Sequence, residues 1–316
     1  MPLGLMSPDS KVSVSLCIPT YNDASFIGDA LRSALVQRLI GIEIIVVDNA
    51  SDDGTENIVK SISAGDARVR YVRHEKNIGM ARNFSACIAL AKGDLVQILC
   101  ADDVLEQDCT SALADALEKH PESVLAACGR VIADHALMPT RTLRARRKFK
   151  VVPGPALLRE CFVHANRIGE PTAVMFRRTA AARGFNPDYA QAVDLEMWMH
   201  LLTQGTGVLL PEALCRIRQH AHQASHENIR SGRMIEDKRR LFRDYAPHLH
   251  ERLSILEKLL WDARMAISIQ RVLSVGGSPN LNPTEIFFPN FFRAAMLPLA
   301  GVIRLTGYLG GATQKN

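Results

Sequence analysis

The sequence predicts an α/β protein, a mostly parallel sheet flanked by helices and followed by a C-terminal helical extension. Three observations carry that expectation. Over residues 12–103, β-branched or apolar runs alternate with segments of helical period across short connections, the pattern of βαβ units. The runs close in polar clusters, "PTYN", "DNASDD" and "ADD", where parallel strands deliver ligand-binding loops. After Ser225 the strand pattern gives way to charge-rich helical periodicity.

The elements follow in order. "VSVSLCIPTYN" begins as a strand and breaks at Pro19. "DASFIGDALRSALVQ" places Phe26, Ile27, Ala30, Leu31, Ala34 and Leu35 at helical spacing. "IEIIVVDNASDDGT" is an unbroken apolar run closing in turn residues, the signature of a strand buried on both faces. "ENIVKSI" predicts a helix and "RVRYVRHE" a short strand. "GMARNFSACIALAK" predicts a helix stopped at Gly93, and "DLVQILCADD" the next strand. A helix runs from about Asp108 to His120, and "SVLAACGRVIAD" makes one or two strands. The basic stretch "RTLRARRKFK" (141–150) interrupts the pattern, as a solvated loop or one facing an anion. "PTAVMFRR" predicts a strand and "VDLEMWMHLLTQG" a helix ended by Gly205.

The expected organisation is a flexible lead-in (1–10), a main domain (11–225) with halves 11–103 and 104–225, and a helical region (226–316). That region breaks near Pro247 and stops at Gly276-Gly277. Its apolar end, "TEIFFPNFFRAAMLPLAGVIRLTGYLGG", either packs on the body or lies in a membrane interface.

Composition narrows the classes. At 316 residues with 47% hydrophobic content, the chain can bury a full core. A net charge of +5 suits an anionic substrate or membrane surface. One basic cluster is too little for a base-reading face, so no nucleic-acid partner is expected. The seven cysteines are odd in number and never in C-x-x-C spacing, which predicts reduced core residues in a cytoplasmic protein. No run reaches the ~18 uninterrupted apolar residues of a membrane span, and no G-x-G-x-x-G follows a strand, which disfavours a dinucleotide-dependent oxidoreductase.

The pair Asp102–Asp103 ends an apolar run. Two adjacent carboxylates repel unless they serve a solvated turn or meet a cation that arrives with a phosphorylated substrate. Convergence of three polar strand ends on one edge favours the cation.

Several motifs in sequence then point to a family. "VSLCIPTYNDASFIGDAL", "IIVVDNASDDGT", "NIGMARNFSACIALAKGDLVQILCADD", "IGEPTAVMFRR", "VDLEMWMHLL" and "RIRQHAHQAS" occur with sensible gaps. From about Val12 to Ser225 the chain resembles the inverting GT-A glycosyltransferases of family 2. The resemblance implies a nucleoside-diphosphate-sugar donor, a UDP-sugar first, with Mg²⁺ or Mn²⁺ as cofactor and a saccharide or lipid-linked acceptor. It implies cell-surface polysaccharide or glycolipid synthesis by a cytoplasmic enzyme, peripheral at the inner face of the membrane.

Carried over by position, Asp103 would be the metal ligand and Asp102 would bond the ribose. Pro19, Thr20 and Tyr21 would contact the base and ribose, with Tyr21 stacking or simply packing. Asp48 would accept from the base or ribose, while Asn49 departs from the double aspartate of some members. Asn77 and Arg82 would reach the base or phosphates, or else shape a helix start. Asp194 would be the catalytic base, with an N-cap as its structural alternative and Glu196 as fallback. Val193 replaces the acid often found beside that base. His220 would ligate the metal or, as a cation, neutralise phosphate, and Arg218 would pair with phosphate or a surface acid. Two rivals stay open: a nucleotidyltransferase, which would want a Gly-rich triphosphate loop after the first strand, and a non-catalytic sugar-nucleotide-binding protein.

Overall fold

The computed structural model describes residues 13–39, 41–164, 166–220, 224–249 and 253–276. The expected flexible lead-in and the apolar tail lie outside them. In chain order the elements are β1 (Val14–Thr20), α1 (Ile27–Leu35), β2 (Glu43–Asp48), α2 (Thr55–Ile62), β3 (Val69–Arg73), α3 (Met80–Leu90) and β4 (Leu95–Ile98). There follow β5 (Val104–Leu105), α4 (Cys109–Lys119), β6 (Ser123–Ala133), β7 (Pro139–Leu143), β8 (Lys150–Val152), α5 (Gly154–His164) and β9 (Val174–Arg177). The last are α6 (Val193–Leu202), β10 (Thr206–Arg218), α7 (Ala224–Arg230), α8 (Arg233–Tyr245) and α9 (Ile255–Ser274).

One sheet runs β3-β2-β1-β4-β9-β6-β10-β5, with β7 on β6 and β8 on β10. Ladders β3–β2–β1–β4 and β6–β10 are parallel, and β9 enters antiparallel between β4 and β6. Chain order reverses between β1 and β4, so their carboxyl ends frame the crevice where such sheets bind ligands. Hydrophobic burial drives the assembly. Leu16, Ile18, Ile44 and Val46 are fully buried, as are Ile27, Ala30, Leu31 and Ala34 of α1. Each large aliphatic side chain among them is worth about 1.5–3 kcal/mol relative to exposure.

Four local expectations change. β1 continues through Pro19 to Thr20, paired with Val47 and Asp48 of β2, because the fixed φ of proline suits extended backbone near a strand end. Gly93 does not cap α3, which ends at Leu90. A Cβ on Gly93 would lie 2.6 Å from the backbone nitrogen of Ser15, so glycine is needed for close approach to β1. The 141–150 stretch is partly strand, since β7 pairs with β6 and β8 with β10. Finally, β10 is a 13-residue strand that the sequence pattern concealed. Pro211 and Glu212 fall in its register shift between Leu209 and Ala213, and such a bulge destroys the alternation that marks a strand.

The described residues fall into two compact units: those within 13–154, 168–188 and 193–220 form one, and those within 155–167, 189–192 and 224–276 the other. The described part of the second is helical. Asp237 of α8 accepts from the backbone N–H groups of Ala190, Gln191 and Ala192, and Phe162, Phe242 and Trp261 pack ring on ring. Helix α9 starts with a complete capping box, Ser254 with Glu257. All seven cysteines are free. Among the described residues, no helix is long and apolar enough to cross a membrane.

Candidate active site

The acidic pair sits in the turn that leaves β4, and its two members differ sharply. Asp103 is 2% exposed. Its Oδ2 accepts the Thr172 hydroxyl proton at 2.5 Å and its Oδ1 the Arg218 backbone N–H at 2.9 Å. Thr172 Oγ1 in turn accepts from the Cys100 N–H at 3.1 Å. Asp103 thereby rivets the β4 turn to the turn before β9 and to the end of β10. Burial, and then the charge of Asp102, push its carboxyl well above the ordinary range, against the pull of those two donors. The Asp102 side chain keeps 20% exposure, and its Oδ2 lies 3.0 Å from His220 Nε2.

His220 stands one residue past Gln219, whose N–H bonds Ala133 O and carries the β10 trace outward. Its ring lies 4.5 Å from that of Phe26. Its Nδ1 is buried without a hydrogen-bond partner among the described residues. If Nε2–H donates to Asp102, Nδ1 presents a bare lone pair. Arg218 does not face solvent. Its Nε donates to the Asp102 carbonyl at 2.8 Å, its Nη1 to the His135 carbonyl at 2.5 Å, and its Nη2 pairs with Asp29 at 2.8 Å. The guanidinium also lies 4.9 Å from the Phe26 ring centroid. It clamps the loops around Asp102.

Asp194 opens α6 and is partly exposed. Its Oδ1 accepts the Leu195 N–H at 2.7 Å. Burial pushes its carboxyl up to about 7, Glu170 adding to the rise and Arg130 opposing it. Arg130 and Glu170 form an ion pair. Glu196, the fallback base, is 2% exposed and held by Arg183, whose Nη2 donates to both carboxylate oxygens at 2.8 Å. Both of its oxygens are engaged in that ion pair. The Cys100 thiol is pushed far up by burial and by the charges of Asp103, Asp102 and Asp194, so one electrostatic neighbourhood holds all three acids. Donor atoms of Cys100, Asp102 and Asp103 lie within 4.8 Å of one another. The protonated thiol makes a poor ligand.

The nucleotide-side residues form a second group. Pro19 is buried, Thr20 is buried, and Tyr21 is 46% exposed. Asp48 is fully buried, with Oδ1 accepting from Ser51 N at 2.8 Å and Oδ2 from Tyr71 Oη at 2.5 Å. Asn49 donates to Asn77 Oδ1 at 2.9 Å and accepts from Ile78 N at 2.8 Å. Asn77 itself is exposed and also accepts from Gly79 N. Arg82 is exposed on the first turn of α3.

Residues not singled out in the sequence complete the corner. Thr172 and Phe26 support Asp103 and His220 as described. Asp23 accepts from Thr20 Oγ1 at 2.9 Å and Tyr21 N at 3.0 Å, and burial, with Asp102 and Asp53 contributing, pushes its carboxyl up to about 6. Only its place directly after "TYN" hinted at it.

A ten-stranded mixed sheet flanked by helices, with chain order reversing between β1 and β4, is the architecture of the GT-A class. The model of glycosyl transferase family 2 matches residues 15–185, and the chain belongs to that family. Uncharacterized protein MT1568 of Mycobacterium tuberculosis is 33% identical over 73% of this chain and 75% of its own length. Abequosyltransferase RfbV of Salmonella typhimurium is 36% identical over a shorter stretch, 35% of this chain and 34% of its own. The structure of the mannosyltransferase PcManGT from Pyrobaculum calidifontis in complex with GDP-Man and Mn²⁺ superposes with TM-score 0.59 at 18% identity, over 96% of this chain and 87% of that one. The protein is a glycosyltransferase.

Proposed function

We propose that the protein is a metal-dependent inverting glycosyltransferase that moves a sugar from a nucleoside-diphosphate-sugar to an acceptor hydroxyl. Asp194 carries the reading. A partly exposed carboxyl raised to about 7 is matched to abstract a proton near neutrality, and it shares its surroundings with the acid cluster at the β4 turn. Asp194 takes the acceptor proton as the hydroxyl attacks the anomeric carbon, and the nucleoside diphosphate departs from the opposite face. No covalent enzyme intermediate forms.

The residues fit Mg²⁺ or Mn²⁺, and the Mn²⁺ of the superposed mannosyltransferase supports that fit. In this reading the roles expected of the two aspartates exchange. Asp103 has both oxygens committed to internal donors, whereas Asp102 Oδ2 and His220 Nε2 face each other at 3.0 Å and offer the hard oxygen and imidazole donors suited to such ions. Asp102 and His220 would hold the metal, and Asp103 would hold Asp102 in place. Such an ion, when bound, would neutralise charge on the departing diphosphate.

In this reading 11–103 is the nucleotide half and 104–225 the acceptor half. Pro19, Thr20, Tyr21, Asn77 and Arg82 line the donor, while Asp48 and Asn49 shape the loop beneath it. Relatives named for teichuronic acid and succinoglycan biosynthesis support polysaccharide synthesis; a saccharide or lipid-linked acceptor and a place at the cytoplasmic face of the membrane are part of the same proposal. The test is Asp194→Asn with a panel of UDP-, GDP- and dTDP-sugars with and without Mn²⁺. One donor should raise the melting temperature of both proteins in Mn²⁺, and only the wild type should transfer it. A variant that still turns over at the wild-type rate removes the assignment.

A further inference from the structure

The second unit contains a concentration of positive charge that the transferase chemistry does not use. On α9, Arg264, Ser268 and Arg271 follow each other at spacings of four and three residues and so share one face. Lys238 of α8 reaches that face, its Nζ donating to Ser268 Oγ, while the Ser268 hydroxyl donates to the Arg264 carbonyl at 2.9 Å. Arg264 Nη1 donates to the Val163 carbonyl at 3.3 Å, which brings in the end of α5. His164 and Arg167 follow there, and both Arg167 and Arg264 bear on His164. Lys238 and Arg264 are partly buried, and Arg167 and Arg271 are exposed. The arrangement is a recessed ammonium and guanidinium with two guanidiniums at the rim.

Among the described residues, nearby acids do not balance it. Burial, and then the charges of Arg264 and Arg271, lower the Lys238 ammonium to about 7. Burial and Arg167 lower Arg264 to about 10. Glu257 is bound by both Nε and Nη2 of Arg159 and by its own helix cap. Glu160 lies one turn before His164 on α5 and bears on it, but it is not among the charges acting on Lys238 or Arg264. Asp262 is two residues off the Arg264 stripe and buried. Like charges are not gathered in a partly desolvated place without cost, and an anion with several oxygens removes that cost by accepting from the ammonium and both forks of guanidinium donors.

We propose that Lys238, Arg264, Arg271 and Arg167 form an anion site in the second unit that takes a phosphate or diphosphate group. The site shares no residue with the acid cluster and does not rest on the transferase reading. The group is either part of a lipid headgroup or a soluble phosphate, and the same four side chains recognise both.

Titration calorimetry of the full chain in EDTA with inorganic pyrophosphate tests it, beside flotation with vesicles of phosphatidic acid in phosphatidylcholine. The wild type and Asp102→Asn should bind pyrophosphate alike, and the double variant Lys238→Met, Arg264→Gln should bind at least about tenfold more weakly. Parallel loss of flotation assigns the site to a headgroup, and pyrophosphate binding without flotation assigns it to a soluble anion; both support the site. Should the double variant fail to fold, the exposed Arg271→Gln must still weaken binding by about threefold or more. Equal affinity of a folded variant and wild type, or no pyrophosphate binding by wild type, overturns the proposal.

Discussion

The end of β2 and the corner framed by β1, β4 and β10 are both rich in polar side chains, yet they spend them differently. At the end of β2, Asp48 gives one oxygen to Ser51 N and the other to Tyr71, and Asn49 and Asn77 bond to each other and to the chain. At the corner, His220 Nδ1 has no partner among the described residues, and burial raises Asp194 to about 7 against the pull of the Leu195 N–H. Satisfied polar groups shape a loop; desolvated or unmatched ones hold free energy that a ligand or a proton can release. Asp102 and Asp103 also differ one residue apart: Asp103 is sealed by two internal donors, and the Asp102 side chain keeps 20% exposure beside His220.

The sharpest way to break this contrast is Asp194→Asn. We expect kcat to fall by about 10²–10⁴ while the melting temperature at pH 8 holds or rises, because the ionised carboxylate is what burial penalises. A steady-state assay and a thermal melt on the same sample check both halves. Next, Asp102→Asn should cost about 10²–10³ in kcat and abolish any Mn²⁺ dependence of donor binding by calorimetry. Full metal response in that variant would return the ion to Asp103.

The pH profile comes third. With Asp194 at about 7, kcat/KM should rise roughly tenfold per pH unit below 7 and then level off. Stability runs the other way for this group. Its folded pKa is raised from 3.8, so its contribution is full below that value and is lost as pH rises through about 7. The Asp194→Asn melting temperature should therefore gain on wild type between pH 5 and pH 8 on the scale of those two values.

Smaller effects follow. Asp103→Ala strands the Thr172 hydroxyl and Arg218 N–H, and chemical denaturation should show a loss of about 1–3 kcal/mol. A loss of activity by the correctly folded fraction as large as that of Asp102→Asn would contradict its supporting role. Tyr71→Phe removes a single partner from Asp48 and should cost about 0.5–1.5 kcal/mol with donor affinity essentially unchanged in the same calorimetric titration.

Much of the first half of the fold was legible because its signals are local. Ile44 to Val47 form an unbroken apolar run, and Ile27, Ala30, Leu31 and Ala34 repeat at helical spacing; burial on one or both faces imposes those patterns directly. Strand β10 was not legible, because the bulge around Pro211 and Glu212 scrambles the alternation a strand needs. Gly93 is opaque for a related reason: a glycine near a helix end resembles a cap, and only the Ser15 backbone against it reveals the true constraint.

Residue types and their order were enough to specify a crossover α/β chain with acids at its strand ends, since strand and helix periods and turn chemistry are properties of neighbours along the chain. Which of two adjacent aspartates is sealed by Thr172 and the Arg218 N–H, and which is left beside His220, depends on residues about 70 and 115 positions away. Only folding brings those donors to Asp103, and hydrogen bonds of that kind bury one carboxylate while its neighbour keeps partial exposure beside His220.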